Sequence, residues 1–184
     1  MRIVGGTHKG RKLNTPSSNS TRPTSDRARE SLFNRLAHGI DGFELENARV
    51  LDLFAGTGAL GLEALSRGAN FALLVEDASP ARGVIRRNIE ELEFTGQTKL
   101  FKRDATKLGK LQRFAPFNLI FLDPPYGKSL GEKALKSAME GGWLEENALI
   151  ILEEAKSNEI IWPEGITPVD TRSIGDSNFH FARA

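Results

Sequence analysis

The sequence predicts an α/β domain: a Rossmann-like, doubly wound sheet of mostly parallel strands, carrying a short basic arm at its N-terminus. Three observations predict it. From Arg49 onward, short apolar runs alternate with stretches of helical periodicity. A glycine-rich turn, "AGTGALG", joins the first of these runs to the helix that follows it. The charge is uneven: residues 1–35 hold eight Lys or Arg against Asp26 and Glu30, whereas residues 36–184 hold 17 basic and 22 acidic side chains.

At 184 residues the chain suits one domain with a small appendage. We divide it into a basic arm, 1–24, and a main domain, 25–184. There are no cysteines, which excludes disulfides, thiolate metal sites and thiol nucleophiles. His8, His38 and His180 are far apart, so no metal is expected. No stretch approaches the ~20 apolar residues that span a bilayer. The first residues lack the apolar run of a signal peptide. A cytoplasmic protein without membrane partners is expected.

Taken in order, "RIV" and "RKLNT" can pair as a hairpin across "GGTHKG". "PSSNSTRPTS" has loop chemistry. A helix is expected from about Ser25, with Ala28, Leu32 and Leu36 as its apolar stripe and Gly39 as its stop. "RVLDLF" reads as a strand and "GALGLEALSRG" as a helix that closes at Gly68. "FALLVE" is a strand. "SPARGVIRRNIEEL" is a helix with Ser79 at its cap and Pro80 in its first turn, where a missing N–H costs little. "TKLFKRD" is a strand, followed by a weak helix through Leu111. "FNLIFLD" is a strand, "SLGEKALKSAMEGG" a helix and "ALIILEE" a strand. Residues 157–184 supply one or two more strands, with turns at "WPEG" and "GDSN".

In such sheets, ligands bind beyond the carboxyl ends of the strands, near the switch in strand order. After the first strand, Gly56, Gly58 and Gly61 have the spacing that brings a helix N-terminus against a nucleotide-like ligand. Glu76 ends the second strand, where a carboxylate can accept from both ribose hydroxyls. These features alone fit a dinucleotide site. Asp52 does not, because an anion there opposes a pyrophosphate at the helix N-terminus. It suits a cation, such as the amino group of an amino acid attached to the ribose. Asp104 ends the third strand and can accept from an adenine amine, while the Ala105 N–H donates to the ring. An ammonium, a ribose diol and an adenine without phosphate together describe S-adenosylmethionine. The plain alternative is that these are ordinary cap and turn residues.

The fourth strand ends in Asp123-Pro124-Pro125-Tyr126. Methylation of an exocyclic amine on a planar ring needs acceptors for its two N–H groups, because its lone pair is delocalised into the ring. The Asp123 carboxylate and the Pro124 carbonyl can supply them. The two prolines fix that carbonyl in advance. Tyr126 offers a face for the base. The plain alternative is a strand stop with a core tyrosine.

Together these residues resemble the class I S-adenosylmethionine-dependent methyltransferases that act on amines. That family carries a D-x-F-A-G-x-G loop, here Asp52-Leu53-Phe54-Ala55-Gly56-Thr57-Gly58, acidic second and third strand ends, and an [N/D]-P-P-[Y/F] motif. "MRIVGGTHKGRKL" and "TRPTSDRARESLFNRL" further resemble the start of the RsmD-type enzymes. The resemblance implies a seven-stranded sheet and methyl transfer to the N2 amine of a guanine in 16S ribosomal RNA, within a small-subunit assembly intermediate. It also implies that Arg22 and Thr24 clamp cofactor or substrate, and that Phe54 and Thr57 belong to the cofactor loop. Arg2, Lys9, Arg11, Lys12 and Arg22 are then expected to meet the RNA.

Other readings stay open at this point. The acceptor can be adenine N6 or a protein glutamine. The glycine loop can serve an NAD-dependent oxidoreductase. The fold can be a non-catalytic RNA-binding module. Glu153 and Glu154 are adjacent in a strand, so they point to opposite faces and cannot clamp one bond. The loop lacks the Lys-Ser/Thr of a phosphate-binding loop, and no Ser sits in a nucleophile elbow.

Overall fold

A computed structural model describes residues 1–16 and 25–184, so Arg22 and Thr24 lie outside the described residues. Seven strands form one sheet: β1 (Arg49–Asp52), β2 (Phe71–Val75), β3 (Thr98–Phe101), β4 (Phe117–Leu122), β5 (Leu144–Ala155), β6 (Thr167–Ile174) and β7 (Ser177–Arg183). Their order is β3-β2-β1-β4-β5-β7-β6. The first five pair in parallel, and β7 runs antiparallel to both β5 and β6. This is the doubly wound sheet that the sequence predicts, with the seven strands that the resemblance implies. The order reverses between β1 and β4, which marks the expected ligand crevice.

Among the described residues, four α-helices cover the sheet: α1 (Asp26–His38), α2 (Ala59–Ser66), α3 (Ser79–Glu91) and α4 (Leu130–Glu140). Period-two alternation divides the strands between two cores. Val50, Leu74, Leu119 and Ile151 pack with α1, α2 and α3, whereas Leu51, Leu73, Ile120 and Ile150 pack with α4. Burial on both faces explains why the central strands read as near-continuous apolar runs.

The helix ends follow from local chemistry. The Ser25 hydroxyl accepts from the Ala28 N–H (3.1 Å) at the start of α1, and the Gly39 N–H donates to the Arg35 carbonyl at its close. Gly58, at φ +81°, begins α2 in the left-handed region. Gly61 has a different role: a Cβ there would stand 2.4 Å from Leu74 Cδ2, so any larger residue would have to displace that side chain where α2 lies against β2. Ala78, not Ser79, holds the cap position of α3; Ser79 is its first residue. The helix expected after β3 is a single 3₁₀ turn, Ala105–Lys107, capped by Asp104. Strand β5 starts earlier than expected, at Leu144, with an irregular register against β4.

The N-terminal hairpin forms as expected. Arg2 bridges Lys12, with the Ile3 N–H donating to the Arg11 carbonyl (2.9 Å). It is not a solvated tail. Ile3 and Leu13 are buried in the helix-side core. Each such side chain contributes roughly 1.5–3 kcal/mol on burial. Polar groups of the helices satisfy the hairpin backbone. Buried Glu63 accepts from the Val4 N–H (2.8 Å) and from Arg67 Nε (2.7 Å). Ser66 donates to the Gly5 carbonyl (2.6 Å), and Asn88 Nδ2 donates to the Asn14 carbonyl (3.1 Å).

Candidate active site

The carboxyl ends of β1, β2 and β3, with the loop after β4, line a single cavity of about 320 Å³. Among the residues singled out in the sequence, Phe54, Glu76, Asp104, Ala105 and Pro125 form its wall. Five expected site residues therefore converge from four separate segments. That convergence is what a switch point does.

Glu76 ties the site together. Its Oε2 accepts from the Gly56 N–H (3.0 Å) and its Oε1 from the Ala78 N–H (2.8 Å). The carboxylate thus fixes the glycine loop to the entry of α3. Asp104 Oδ1 accepts from the Thr106 N–H (2.8 Å) and hydroxyl (2.7 Å). Those two bonds hold its carboxyl below the usual range, so it faces the cavity as an anion.

Asp52 lies beneath this surface and does not line the cavity. It is buried, and its Oδ2 accepts from the Gly61 N–H (3.2 Å). Burial, reinforced by the charge of Glu76, pushes its carboxyl up to about 7. The folded chain therefore holds a proton that the unfolded chain has already released. The resulting stabilisation is full below pH 3.8 and is lost as pH rises through about 7. At about 1.36 kcal/mol per pH unit the interval is worth on the order of 4 kcal/mol. Between roughly pH 4 and pH 8, the unfolding free energy of the wild type should fall by that order relative to Asp52→Asn. Parallel profiles would mean that Asp52 ionises in the fold without cost.

Gly56 and Gly58 adopt φ of +56° and +81°, as the turn requires. Thr57 turns away from the cavity. Its hydroxyl meets the Met1 sulfur (3.6 Å), and its carbonyl accepts from Asn88 Nδ2 (2.9 Å). Asp123 is half-buried directly after β4, and Pro124 is buried. Tyr126 is 40% exposed, and its hydroxyl donates to Glu153 Oε1 (2.8 Å). It is therefore not a core tyrosine. Of the basic arm, Arg2 pairs with Asp26 (3.2 Å) and Arg11 donates to the Glu91 carbonyl. Lys9 and Lys12 are exposed.

The chain matches the family described as Conserved hypothetical protein 95 over residues 1–183. The chain belongs to this family. It is 40% identical over 158 residues to "Ribosomal RNA small subunit methyltransferase D" of Escherichia coli K12, covering 86% of this chain and 76% of that one. The protein of the same name from Haemophilus influenzae is 35% identical, covering 95% and 89%. The solved structure of yhhF from Escherichia coli superimposes with a TM-score of 0.83 at 33% identity, covering 100% and 97%.

Within this family member, the cavity includes groups the sequence reading missed: Asp77, Arg103, Thr106 and Leu130. Asp77, Arg103 and Thr106 lie within two residues of Glu76 or Asp104, so the strand-end rule, applied one residue wider, would have found them. Leu130 opens α4 and is brought in by the turn after Tyr126. Arg103 also lies over the Phe101 ring, 5.0 Å from its centroid. Among the described residues no acidic or histidine cluster suits a metal ion, and no helix is long and apolar enough to cross a membrane.

Proposed function

We propose that this protein transfers a methyl group from S-adenosylmethionine to the exocyclic N2 amine of a guanine in 16S ribosomal RNA. The observation that carries the reading is the use of the glycine-loop amides. The Gly56 N–H donates to Glu76 and the Gly61 N–H to Asp52. A pyrophosphate would need such donors and would find them already bonded to side-chain acceptors, with the Glu76 carboxylate in the cavity wall. That argues against an NAD-dependent oxidoreductase. A nucleoside carrying a cation and no phosphate fits the same groups.

In this reading, Glu76 accepts from the ribose hydroxyls and Asp104 from the adenine amine. Phe54 and Ala105 wall the rings. Bound S-adenosylmethionine supplies an electrophilic methyl group. Asp123 and the Pro124 carbonyl would accept hydrogen bonds from the two N–H groups of the base, so that its nitrogen lone pair turns out of the ring plane; as the N–C bond forms, the methyl–sulfur bond breaks to leave S-adenosylhomocysteine, and the nitrogen gives up one proton to Asp123 or to water. Tyr126 presents a stacking face worth ~1–3 kcal/mol.

The relatives named as small-subunit ribosomal RNA methyltransferases support RNA over DNA or protein. A paired guanine must leave its stack to reach the cavity. An RNA still open in a small-subunit assembly intermediate would make that easier, and a cytoplasmic location belongs to the same proposal. The test offers labelled S-adenosylmethionine with 16S ribosomal RNA, DNA and protein side by side, and maps the modified position. Label recovered as N2-methylguanine is the expected result. Label at adenine N6 or at a glutamine amide would replace the acceptor. Stabilisation by NAD and not by S-adenosylhomocysteine would overturn the cofactor.

A further inference from the structure

The turn after β4 is held by two adjacent carboxylates that reach it from opposite faces of the sheet. Glu153 and Glu154 are both buried near the end of β5. Their cross-strand partners on β7 are Phe179 and Asn178, so one side chain lies on each face. Glu153 Oε1 accepts from the Tyr126 hydroxyl (2.8 Å) and from the Ser177 hydroxyl (2.8 Å). Glu154 is reached by the next amide along the chain, the Gly127 N–H (3.3 Å), and also accepts from Asn158 Nδ2 (3.0 Å) and its neighbour's Ala155 N–H (2.8 Å). The loop therefore straddles β5 with a carboxylate on either side.

Such an arrangement is expensive unless it has a use. A buried carboxylate needs partners, and here Glu153 finds one at the tip of a loop that is otherwise exposed. Pro124 and Pro125 fix the backbone up to Tyr126, but they do not fix the ring. An exposed aromatic ring is free to change rotamer, and ordering it on substrate binding costs roughly 0.5–1.5 kcal/mol. A hydroxyl already anchored to Glu153 removes that cost.

We propose that Glu153 is a positioning residue for methyl transfer: through the Tyr126 hydroxyl it presets the ring on which the substrate base stacks. The inference rests on the reading of Asp123–Tyr126 as the base-binding turn. Glu154 supports the same turn through its backbone and not through its aromatic ring.

The composition of the chain makes this testable directly, because Tyr126 is its single tyrosine. Burial, with the hydrogen bond and charge of Glu153, raises the ionisation of Tyr126 above the ordinary phenol value. The growth of the tyrosinate absorbance band on alkaline titration reports the surroundings of this one ring, and the difference between wild type and a Glu153 variant reports the contact. Glu153→Ala should bring the titration back toward the ordinary value. It should lower kcat/KM for RNA about fivefold to tenfold and leave S-adenosylhomocysteine affinity within twofold. Tyr126→Phe, at an exposed position, should match that loss, and the double variant should be no worse than Tyr126→Phe. Glu153→Gln keeps an acceptor oxygen and should recover most of the activity. An unshifted titration in Glu153→Ala, or losses that add in the double variant, would overturn the inference. Asp123→Ala, assayed alongside, separates the two claims: if it too keeps full activity, the base-binding reading itself fails.

Discussion

Asp123→Ala is expected to lower kcat for RNA methylation by about 10²–10³, with S-adenosylhomocysteine binding unchanged. The separation of the two effects follows from the geometry. Asp123 follows β4 and is absent from the cavity wall, where Glu76 and Asp104 stand. Its proposed task is to accept an N–H of the attacking amine. That acceptor matters most when the nitrogen turns out of conjugation, so its loss acts on the transition state more than on the ground state. Pro124 leaves one acceptor in place, which sets the loss below complete inactivation. Asp123→Asn retains an acceptor oxygen and removes the charge. It should retain more activity than the alanine variant if hydrogen bonding is the main role, and no more if proton acceptance is. Turnover of Asp123→Ala within threefold of wild type would remove the proposed role of the turn.

Much of this could be read from the chain because the informative residues are local. β1, β2 and β4 announce themselves as apolar runs, since both of their faces are buried. The residues just past the strands then follow from the strand-end rule, and Glu76 after β2, Asp104 after β3 and Pro125 after β4 do meet at one cavity. What was hidden depends on partners far away in sequence. The start of β5, Leu144–Asn147, has one apolar residue in four and none fully buried, and it pairs irregularly with β4, so no apolar run marks it. The turn after Asp104 resembles a helix in composition, but an Asp104 side chain that bonds Thr106 closes it after one turn. The hairpin of the arm was legible, whereas its attachment was not. Glu63, Ser66 and Asn88 are polar residues of helices, and nothing in their spacing reveals that they face backbone groups roughly sixty to seventy-five positions earlier.

Glu153 and Glu154 show the limit most clearly. Strand periodicity correctly assigns them to opposite faces and excludes joint attack on one bond. Periodicity says nothing about a loop from the neighbouring strand passing over the end of β5, where both faces become reachable. The same applies to Asp52. Its position before the glycines was informative, but its burial beneath Gly61, and hence its raised proton affinity, needs the packing of α2 on β2.

Glu76→Ala carries the second large expectation: a loss of S-adenosylhomocysteine affinity of about 100-fold, with a much smaller effect on folding. Two losses combine. The variant removes a carboxylate from the cavity wall, and a hydrogen bond to a charged group is worth about 1.5–3 kcal/mol. It also leaves the Gly56 and Ala78 N–H groups without their acceptor, which loosens the turn that the cofactor must lie against. Both amides are close to solvent, since Gly56 is half-buried and Ala78 exposed, so water can replace the carboxylate and the cost in stability stays near 1 kcal/mol. Glu76→Gln refines the test. One of its two terminal atoms becomes a donor and must face an N–H, so the isosteric amide cannot serve both Gly56 and Ala78. Its affinity should fall between wild type and alanine, nearer the latter. Calorimetric titration with S-adenosylhomocysteine reads the affinity, and thermal unfolding without ligand reads the stability. Binding within threefold of wild type in Glu76→Ala would show that the second strand end does not hold the ribose, and would move the cofactor to another part of the cavity.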